Sequence, residues 1–426
     1  MNISSHLLHR SLTVNVFPTA PADTELSRVF TTFLYDDIGY DPDAQFRATE
    51  GLKGHGKGIN CIAVDETEGR WMVSGGADGS LLVWDLERED DEGNFDARST
   101  VMQQDKSRHG VSSTRFNPHN GSLFSTTSYS AVLSLFSLDT ASSKPSVIST
   151  YPLDSHLYTH SISAASATAT IAVAGSSPHI RLIDPRTSSA SQTLFGHITS
   201  VLSIAWSPIY SSILASGGAD GSIRIWDIRF GARCLGSLDV NGPPQPANRS
   251  AGRAHEGGVN GLLWTPDGRK VISAGMDAKI RIWRMETGEN TNVIFPPVVR
   301  NKYQTPFPML IADDGETMWI GNEEQVLSFE IEEGRMLRRV RIPKSEERDG
   351  MGRITGLVER KGHGELYTCH GTKEGKKLAN ERQGIARWRA EWLFEEEEEA
   401  VVVKTEKQQL LEEIFEKATK APVRFT

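Results

Sequence analysis

The sequence predicts an all-β protein, a seven-bladed β-propeller with a short helical N-terminal arm and a C-terminal helix. Two observations support this fold class. A set of His, Ser, Asp and Trp residues recurs along the chain, and short segments of alternating apolar and polar residues, such as LLVW and IRIW, end at the Trp positions. Alternation with a period of two is typical of strands in a half-buried sheet.

Three copies of the repeat are regular, with Ser four residues before Asp and Asp six residues before Trp in each. They comprise His55, Ser74, Asp78 and Trp84 in blade 1, His197, Ser216, Asp220 and Trp226 in blade 4, and His255, Ser273, Asp277 and Trp283 in blade 5. This is the signature of WD repeats. In WD-repeat proteins these four side chains form a buried hydrogen-bond chain, so we expect one in each regular blade.

Four weaker copies complete the predicted ring. Blade 2 retains His109, Thr126 and Phe136, with Ser130 at the Asp position, and blades 3, 6 and 7 close at Ile183, Phe329 and Trp388. The closing positions lie 43 to 59 residues apart, which fits four strands per blade plus loop insertions. We expect apolar packing to be the main support of blades 3, 6 and 7. Residues 45–52 are the predicted outer strand of blade 7, which would close the ring.

Two flanking segments lie outside the predicted propeller of residues 45–394. The arm, residues 1–44, has apolar helical faces formed by Leu7, Leu8 and Leu12 and by Leu26, Val29, Phe30, Phe33 and Leu34. These faces either cover the underside of the propeller or insert into a groove of a partner. Residues 395–426 combine an acidic linker with an amphipathic helix that packs on the propeller or on a partner, and the sequence leaves both alternatives open.

Composition and charge exclude several classes of function. With a net charge of −9 the chain is not broadly basic, so we expect no direct nucleic-acid contact, although a local basic patch stays open. Cys61, Cys234 and Cys369 lie far apart without a CxxC or His-rich partner, which predicts free thiols and no zinc site. The N-terminus lacks a signal-peptide pattern, and no stretch is apolar enough to span a bilayer, which predicts an intracellular protein without a membrane partner.

The recurring His, Ser and Asp residues raise the possibility of a hydrolase triad. They recur once in each regular blade at the same spacing, which structural repetition explains and a single active site does not. The chain also lacks a GxSxG elbow, and GHGKG at 54–58 lacks the GxxxxGK[ST] pattern of a phosphate loop. We therefore predict no enzyme activity, no catalytic residue, no cofactor and no metal.

The segment WDIR at 226–229 carries a more specific resemblance. It matches the WDxR motif of WD proteins that serve as substrate receptors of cullin-4 ubiquitin ligases, whereas blade 1 ends in WDLE with Glu87 at the Arg position. Over about residues 50–290, the segments GINCIAV…VWDLE, LFGHITS…IWDIR and AHEGGVN…KIRIW make the chain similar to the Cockayne syndrome group A family. That family acts as a WD-repeat substrate receptor in transcription-coupled nucleotide excision repair.

The resemblance implies two binding faces. One face and the arm would bind the ligase adaptor, the large subunit of the damaged-DNA-binding complex; the implied contacts are Leu7, Leu8, Leu12, Leu26, Phe30, Phe33, Trp226, Asp227 and Arg229. The opposite rim would receive a Cockayne syndrome group B-type repair ATPase at stalled RNA polymerase II, with Tyr129, Met276 and Asn322 as candidate contacts. The implied location is the nucleus. An ion pair within blade 4 is the alternative role of Arg229, and a scaffold for a chromatin or RNA-processing complex is the alternative function.

Overall fold

The structure is a computed structural model that describes most of the predicted propeller. The described residues are 38–40, 45–47, 52, 54–90, 94–102, 109–166, 169–187, 189–230, 233–240, 252–341, 351–372 and 384–390. The predicted apolar faces of the arm and the predicted C-terminal helix lie outside these residues. No helix among the described residues has the length and apolarity of a membrane span.

The described strands form seven sheets, which are the blades of a β-propeller. Two short strands come first, β1 (Ile38–Tyr40) and β2 (Phe46–Arg47). Blade 1 contains β3 (Ile59–Val64), β4 (Trp71–Gly76), β5 (Ser80–Glu89) and β6 (Phe95–Met102). Blade 2 contains β7 (Val111–Asn117), β8 (Asn120–Ser128), β9 (Val132–Asp139) and β10 (Lys144–Pro152). Blade 3 contains β11 (Leu157–Ile162), β12 (Ile171–Gly175), β13 (Ile180–Asp184) and β14 (Ser189–Leu194).

The remaining blades follow in chain order. Blade 4 contains β15 (Val201–Trp206), β16 (Ile213–Gly218), β17 (Ile223–Asp227) and β18 (Arg233–Leu238), with a single 3-10 turn at Ile228–Phe230. Blade 5 contains β19 (Val259–Trp264), β20 (Lys270–Gly275) and β21 (Ile280–Arg284). Blade 6 contains β22 (Met309–Ile311), β23 (Thr317–Asn322), β24 (Gln325–Glu330) and β25 (Met336–Arg341). Blade 7 contains β26 (Met351–Arg360), β27 (Glu365–Thr372) and β28 (Ile385–Ala390). The prediction of a seven-bladed propeller is confirmed.

The ring is closed by β1 and β2, and not in the way that the sequence suggested. β1 pairs antiparallel with β28 at the outer edge of blade 7. β2 pairs parallel with β6 in blade 1, and Phe46 packs on the rings of Phe95, Trp84 and Tyr367 at 4.9, 5.3 and 5.9 Å. The prediction that residues 45–52 form the outer strand of blade 7 is therefore wrong, because Ile38–Tyr40 occupies that edge. Strands of two and three residues are too short to show alternation.

The hydrophobic core of the described residues consists of seven clusters, one for each contact between neighbouring blades. The cluster between blades 7 and 1, for example, joins Met72 and Trp84 of blade 1 to Tyr367 and Ile385 of blade 7. Since each blade buries one sheet face against each of two neighbours, no blade completes its core alone.

The inner strands add polar contacts between blades. Their pairing register shifts near the first residues in six of the seven described blades, which marks a β-bulge. Side chains at or beside three of these bulges donate to the carbonyl of the first residue in the next inner strand. The bonds are Asn60 Nδ2 to Val111 O at 2.8 Å, Ser203 Oγ to Val259 O at 2.8 Å, and Thr355 Oγ1 to Ile59 O at 2.6 Å. The last of these joins blade 7 to blade 1.

A buried ionic network strengthens the same closing contact. Arg387 Nη2 lies 2.8 Å from Glu89 Oε1 of blade 1, and Arg360 Nε donates to Gly69 O of blade 1 at 2.6 Å. Both arginines lie near Glu365, which also accepts from Tyr367 Oη at 2.7 Å. Burial alone would raise the pKa of Glu365, but Arg360 and Arg387 outweigh burial and hold that pKa below its usual range.

The regular blade 1 contains a continuous polar chain. Trp84 Nε1 donates to Ser74 Oγ at 2.9 Å, and Ser74 Oγ lies 2.8 Å from His55 Nε2. The other ring nitrogen of His55 lies 2.6 Å from Ser80 Oγ, which donates to Asp78 at 2.5 Å. The aspartate therefore reaches the histidine through a second serine, which the four-residue motif does not include.

Blades 4 and 5 show two versions of this chain. In blade 4 the bonds from Trp226 to Ser216 and from Ser216 to His197 are both 2.7 Å, and Ser222 again links His197 to Asp220. In blade 5 the Trp283–Ser273 and Ser273–His255 distances are 2.9 and 2.8 Å, and His255 Nδ1 lies directly 3.0 Å from Asp277. Lys279 stands where blades 1 and 4 have the linking serine, and Arg281 Nη1 reaches both His255 and Asp277, at 2.7 and 3.1 Å.

Two further buried histidines belong to chains that the motif does not reveal. In blade 7, Trp388 Nε1 donates to Thr368 Oγ1 at 3.0 Å, and that oxygen lies 3.0 Å from His370 Nε2 on the same strand. Blade 7 thus has a polar chain in addition to the expected apolar packing. In blade 2 the expected His109 is exposed, and His160 from β11 of blade 3 lies 2.7 Å from Ser125 Oγ. The buried histidine that contacts blade 2 is therefore His160, although the sequence motif places His109 there.

Removal of one member of the closing network should destabilise the whole ring. We expect Arg387→Met to lower the free energy of unfolding by about 2 kcal/mol, because it removes a charged hydrogen bond of a buried arginine to Glu89, whereas Glu365 keeps its ion pair with Arg360. Urea denaturation followed by circular dichroism measures this. Arg335→Met is the matched control, since Arg335 pairs with Glu330 at 3.1 Å but its side chain is 66% exposed. Equal, small effects of both substitutions would contradict the role of the network.

The buried histidines predict a loss of stability in mild acid. Burial lowers the pKa of His160 to about 3 and those of His55, His197 and His370 to about 4. Their pKa in the unfolded chain is about 6.5, so protons bind preferentially to the unfolded chain between pH 6.5 and 4. Each histidine then costs about 1.4 kcal/mol of stability per pH unit over this window. The free energy of unfolding should fall steeply from pH 7 to pH 5.

Single substitutions can show which histidines cause the dependence of the unfolding free energy on pH. His160→Gln should flatten the dependence of the unfolding free energy on pH by about one histidine's share, whereas His119→Gln, at an exposed position, should leave the slope unchanged. Urea midpoints at several pH values between 5 and 7.5 provide the measurement. An unchanged slope in His160→Gln would show that this histidine is not held neutral by burial.

Candidate docking surface at the base of blade 4

Successive strands of a blade run in opposite directions, so their turns lie on two opposite faces of the ring. The turns between the second and third strands of the blades mark the face that we call the top, and the turns between the first and second strands mark the base. In blade 4 the turn at 207–212 joins β15 to β16 at the base, and Ile228 N donates to Ser212 O at 3.0 Å. This bond places the residues that follow β17, including Arg229, beside that turn.

Arg229 forms a fork on the carboxylate of Asp227. Arg229 Nε lies 3.1 Å from Asp227 Oδ1 and Arg229 Nη2 lies 2.7 Å from Asp227 Oδ2, while the backbone N–H of Arg229 donates to the same carboxylate at 3.0 Å. The hydrogen bonds from Arg229 lower the pKa of Asp227. Asp227 is buried, but the Arg229 side chain is 65% exposed. The ion pair therefore fixes the direction of a guanidinium that faces solvent.

In blade 1 the buried aspartate is paired with an arginine from a different position in the blade. Its equivalent aspartate, Asp85, is held by Arg70, with Nε to Oδ1 at 3.1 Å and Nη2 to Oδ2 at 2.9 Å. Arg70 comes from the residue before β4, and its side chain is only 26% exposed. The buried aspartates of blades 1 and 4 thus both pair with arginines. In blade 1 the fork comes from the largely buried Arg70, with the exposed Arg88 at 3.6 Å, whereas in blade 4 the fork itself comes from the exposed Arg229. The ion pair within blade 4, which the sequence left as an alternative, exists and leaves Arg229 on the surface.

Two large apolar side chains are exposed in the neighbouring turn. Ile209 is 53% exposed and Tyr210 is 60% exposed. Ile209 lies against Gly268 in the corresponding turn of blade 5, where a Cβ atom would stand only 2.9 Å from its Cγ1. We call Ile209, Tyr210 and Arg229 the blade-4 base patch. Exposed aromatic and aliphatic side chains beside an arginine are a composition common at the centre of protein interfaces. Sequence reasoning missed Ile209 and Tyr210, although an Ile-Tyr pair in a turn was a visible signal.

The other residues predicted to contact the adaptor are either buried or outside the described residues. Trp226 and Asp227 are fully or almost fully buried, so neither presents a surface to a partner; Asp227 orients Arg229 from inside, and Trp226 bonds to Ser216. Leu7, Leu8, Leu12, Leu26, Phe30 and Phe33 lie outside the described residues, and their role stays a prediction.

The residues predicted to contact a partner at the top rim differ in their burial. Tyr129 and Met276 are half-buried, and the ring of Tyr129 lies 6.4 Å from that of Tyr158. Asn322 is buried, contrary to the expectation of an exposed rim residue. Its Nδ2 donates to Val298 O at 2.8 Å and its Oδ1 accepts from Arg300 N at 2.9 Å, so it holds the loop between blades 5 and 6.

The described residues show no group of three or more His, Cys, Asp and Glu side chains placed to hold a metal ion. The His, Ser and Asp sets of the regular blades are hydrogen-bonded inside those blades, as described above. The absence of enzyme activity, cofactor and metal stays a prediction.

Comparison with known families agrees with the geometry. Residues 46–85, 188–227 and 249–284 match the family described as "WD domain, G-beta repeat". These segments coincide with blades 1, 4 and 5, where the polar chains begin at a histidine before the first strand. The chain is a seven-bladed β-propeller that contains WD repeats. Propellers of this kind generally serve as binding scaffolds.

Several curated proteins are similar to this WD-repeat propeller. "WD repeat-containing protein ATCSA-1" of Arabidopsis thaliana is 27% identical over 314 residues, which cover 57% of this chain and 69% of that protein. "Ribosome biogenesis protein YTM1" of Podospora anserina is 27% identical over 303 residues, covering 63% of this chain and 58% of that protein. "DDB1- and CUL4-associated factor 13" of Dictyostelium discoideum is 32% identical over 99 residues, covering 23% of this chain and 19% of that protein. The chain spans less than two thirds of the length of the last two.

Proposed function

We propose that this protein is a non-catalytic substrate receptor of a cullin-4 RING ubiquitin ligase that acts in transcription-coupled nucleotide excision repair in the nucleus. The blade-4 base patch and the N-terminal arm bind the ligase adaptor, the large subunit of the damaged-DNA-binding complex. The top face binds a repair partner, a Cockayne syndrome group B-type ATPase at stalled RNA polymerase II. Ubiquitin transfer takes place elsewhere in the complex.

The observations that carry the proposal are the exposed, directed guanidinium of Arg229 and the exposed side chains of Ile209 and Tyr210 in the turn to which Ile228 is hydrogen-bonded. A planar guanidinium oriented by the Asp227 carboxylate presents fixed geometry to the carbonyls or carboxylates of a partner. Two relatives support the proposal: one is ATCSA-1, and the other is named for its association with DDB1 and CUL4. The resemblance of the WDIR segment to the motif of cullin-4 receptors points to the same surface.

Loss of the Arg229 side chain should weaken adaptor binding selectively. We expect Arg229→Ala to raise the dissociation constant for purified adaptor roughly tenfold or more, as is typical of an arginine at the centre of an interface. Biolayer interferometry measures the constant. Arg70→Ala is the matched control, since it breaks the equivalent ion pair in blade 1 without touching the patch. Equal losses from both variants would mean that the effect comes from blade stability and would contradict the assignment of the patch.

The arm provides a second, independent test. Phe30→Asp combined with Phe33→Asp should abolish adaptor binding, because charged groups cannot be buried in an apolar groove without a large desolvation cost. Circular dichroism and the urea midpoint should stay those of the wild type. Normal adaptor binding by the folded double variant would show that the arm is not an adaptor-binding element.

The alternative function is a WD-repeat scaffold of an RNA-processing complex. Relatives named as ribosome biogenesis proteins, 26–29% identical over up to 64% of this chain, favour it. Affinity purification of the tagged full chain separates the two functions. Recovery of preribosomal proteins without the cullin-4 adaptor would establish the scaffold and overturn the receptor proposal; recovery of the adaptor would do the reverse.

A further inference from the structure

Near the base of blade 4, two tryptophans stand in one row across the first three strands. The pairing register aligns Trp206 of β15 with Leu214 of β16, and Leu214 with Trp226 of β17. All three residues belong to the apolar cluster that joins blades 3 and 4, and both tryptophans are almost fully buried. Two indole rings therefore fill this part of the contact between blades 3 and 4.

Blade 5 has the same row. Its register aligns Trp264 of β19 with Val271 of β20, and Val271 with Trp283 of β21. Trp283 is buried in the cluster between blades 4 and 5, and Trp264 packs against that cluster. Trp264 Nε1 also donates to Ala205 O of blade 4 at 3.0 Å. Two indole rings thus fill the contact between blades 4 and 5 as well.

Blade 3 has isoleucines at these positions. The register aligns Ile162 of β11 with Ile171 of β12, and Ile171 with Ile183 of β13. Isoleucine side chains are shorter than indoles and fill less of the space between blades 2 and 3. A cavity of about 230 Å³ lies there, lined in part by Ile162 and Ile171. This interblade cavity therefore occupies the place where the next two contacts between blades hold tryptophans.

The walls of the interblade cavity are mostly apolar. Blade 2 contributes Leu123, Leu135 and Ile148 to its lining. Ile148 is the extra residue of a bulge in β10, and its side chain is 57% exposed. The outer strand of blade 2 thus marks the side on which the cavity meets solvent.

Two of the polar residues that line the cavity already have protein partners. Ser125 Oγ lies 2.7 Å from His160 Nε2, and Arg186 pairs with Asp184 at 3.5 Å. A buried water needs two to four polar partners, so such walls hold water weakly. An apolar cavity of about 150 Å³ lined by Leu, Ile and Phe side chains binds benzene. The larger interblade cavity is suited to two fused rings.

We propose that the interblade cavity binds an uncharged aromatic ligand of the size of indole. The space between two sheets suits a planar ring, and the rings of Trp206 and Trp226 occupy the corresponding place one blade further on. Burial of the apolar ring surface supplies the binding energy. Since Asp184 offsets the charge of Arg186, the site does not select for an anion. The cavity shares no residue with the blade-4 base patch, so ligand binding is independent of the receptor proposal.

The test titrates three probes into the full chain by isothermal titration calorimetry: indole, N-acetyltryptophanamide and N-acetylglutaminamide. We expect indole to bind with a Kd below about 1 mM, and at least about tenfold more tightly than N-acetylglutaminamide. The proposal is supported in either of two forms by N-acetyltryptophanamide. Affinity equal to that of indole would assign the ring to a side chain of a partner protein, and much weaker binding would assign it to a free small molecule. No binding of indole would overturn the proposal.

Matched variants locate the bound ring. Ile162→Trp restores the row of blades 4 and 5, so its indole should fill the cavity and weaken indole binding at least about tenfold. Ile148→Glu changes an exposed side chain and should fold normally, but its charge at the mouth should also weaken binding. Leu337→Trp adds an indole at a 43% exposed position of blade 6 and should leave the affinity unchanged. Circular dichroism checks the fold of each variant. Unchanged indole binding in both cavity variants would contradict the assignment.

Discussion

The structure depends on the burial of apolar sheet faces between neighbouring blades. Each described contact between blades has its own apolar cluster, and the last of these exists only when blade 7 meets blade 1. Closing the ring brings together residues about 300 positions apart, and three kinds of contact offset the entropy of that closure. They are strand pairing by β1, the apolar packing around Phe46, and the ionic network of Arg360, Glu365 and Arg387.

Closure also determines where binding surfaces can form. The sheet faces are buried between neighbouring blades, so the surfaces left for binding are the turns on the two faces of the ring and the exposed outer strands such as β10 and β25. On the base, the need to neutralise a buried aspartate places Arg229 beside the exposed turn of Ile209 and Tyr210. Between blades 2 and 3, isoleucines stand where the next two blades have tryptophans, and this difference accounts for the interblade cavity.

Much of the fold could be predicted because the repeat is periodic, and the spacing of Ser74, Asp78 and Trp84 recurs in two more blades. The missed features are not periodic. His160 crosses from blade 3 to blade 2, and His370 comes from a strand instead of from the loop before its blade, so neither stands where the motif places a histidine. Exposure was the hardest property to predict: Asn322 is buried because its amide holds the loop between blades 5 and 6, and Trp226, which the repeat places in a buried polar chain, is therefore not available as a surface contact.

We propose that the adaptor docks on the base of blade 4 and leaves the top of the ring open. Hydrogen–deuterium exchange of the full chain, with and without purified adaptor, distinguishes the two faces. We expect slower exchange in the turn at 207–212 and in residues 228–230 on adaptor binding, with unchanged exchange in the top turn at 128–131. Protection confined to the top turns, or no protection anywhere in the ring, would contradict it.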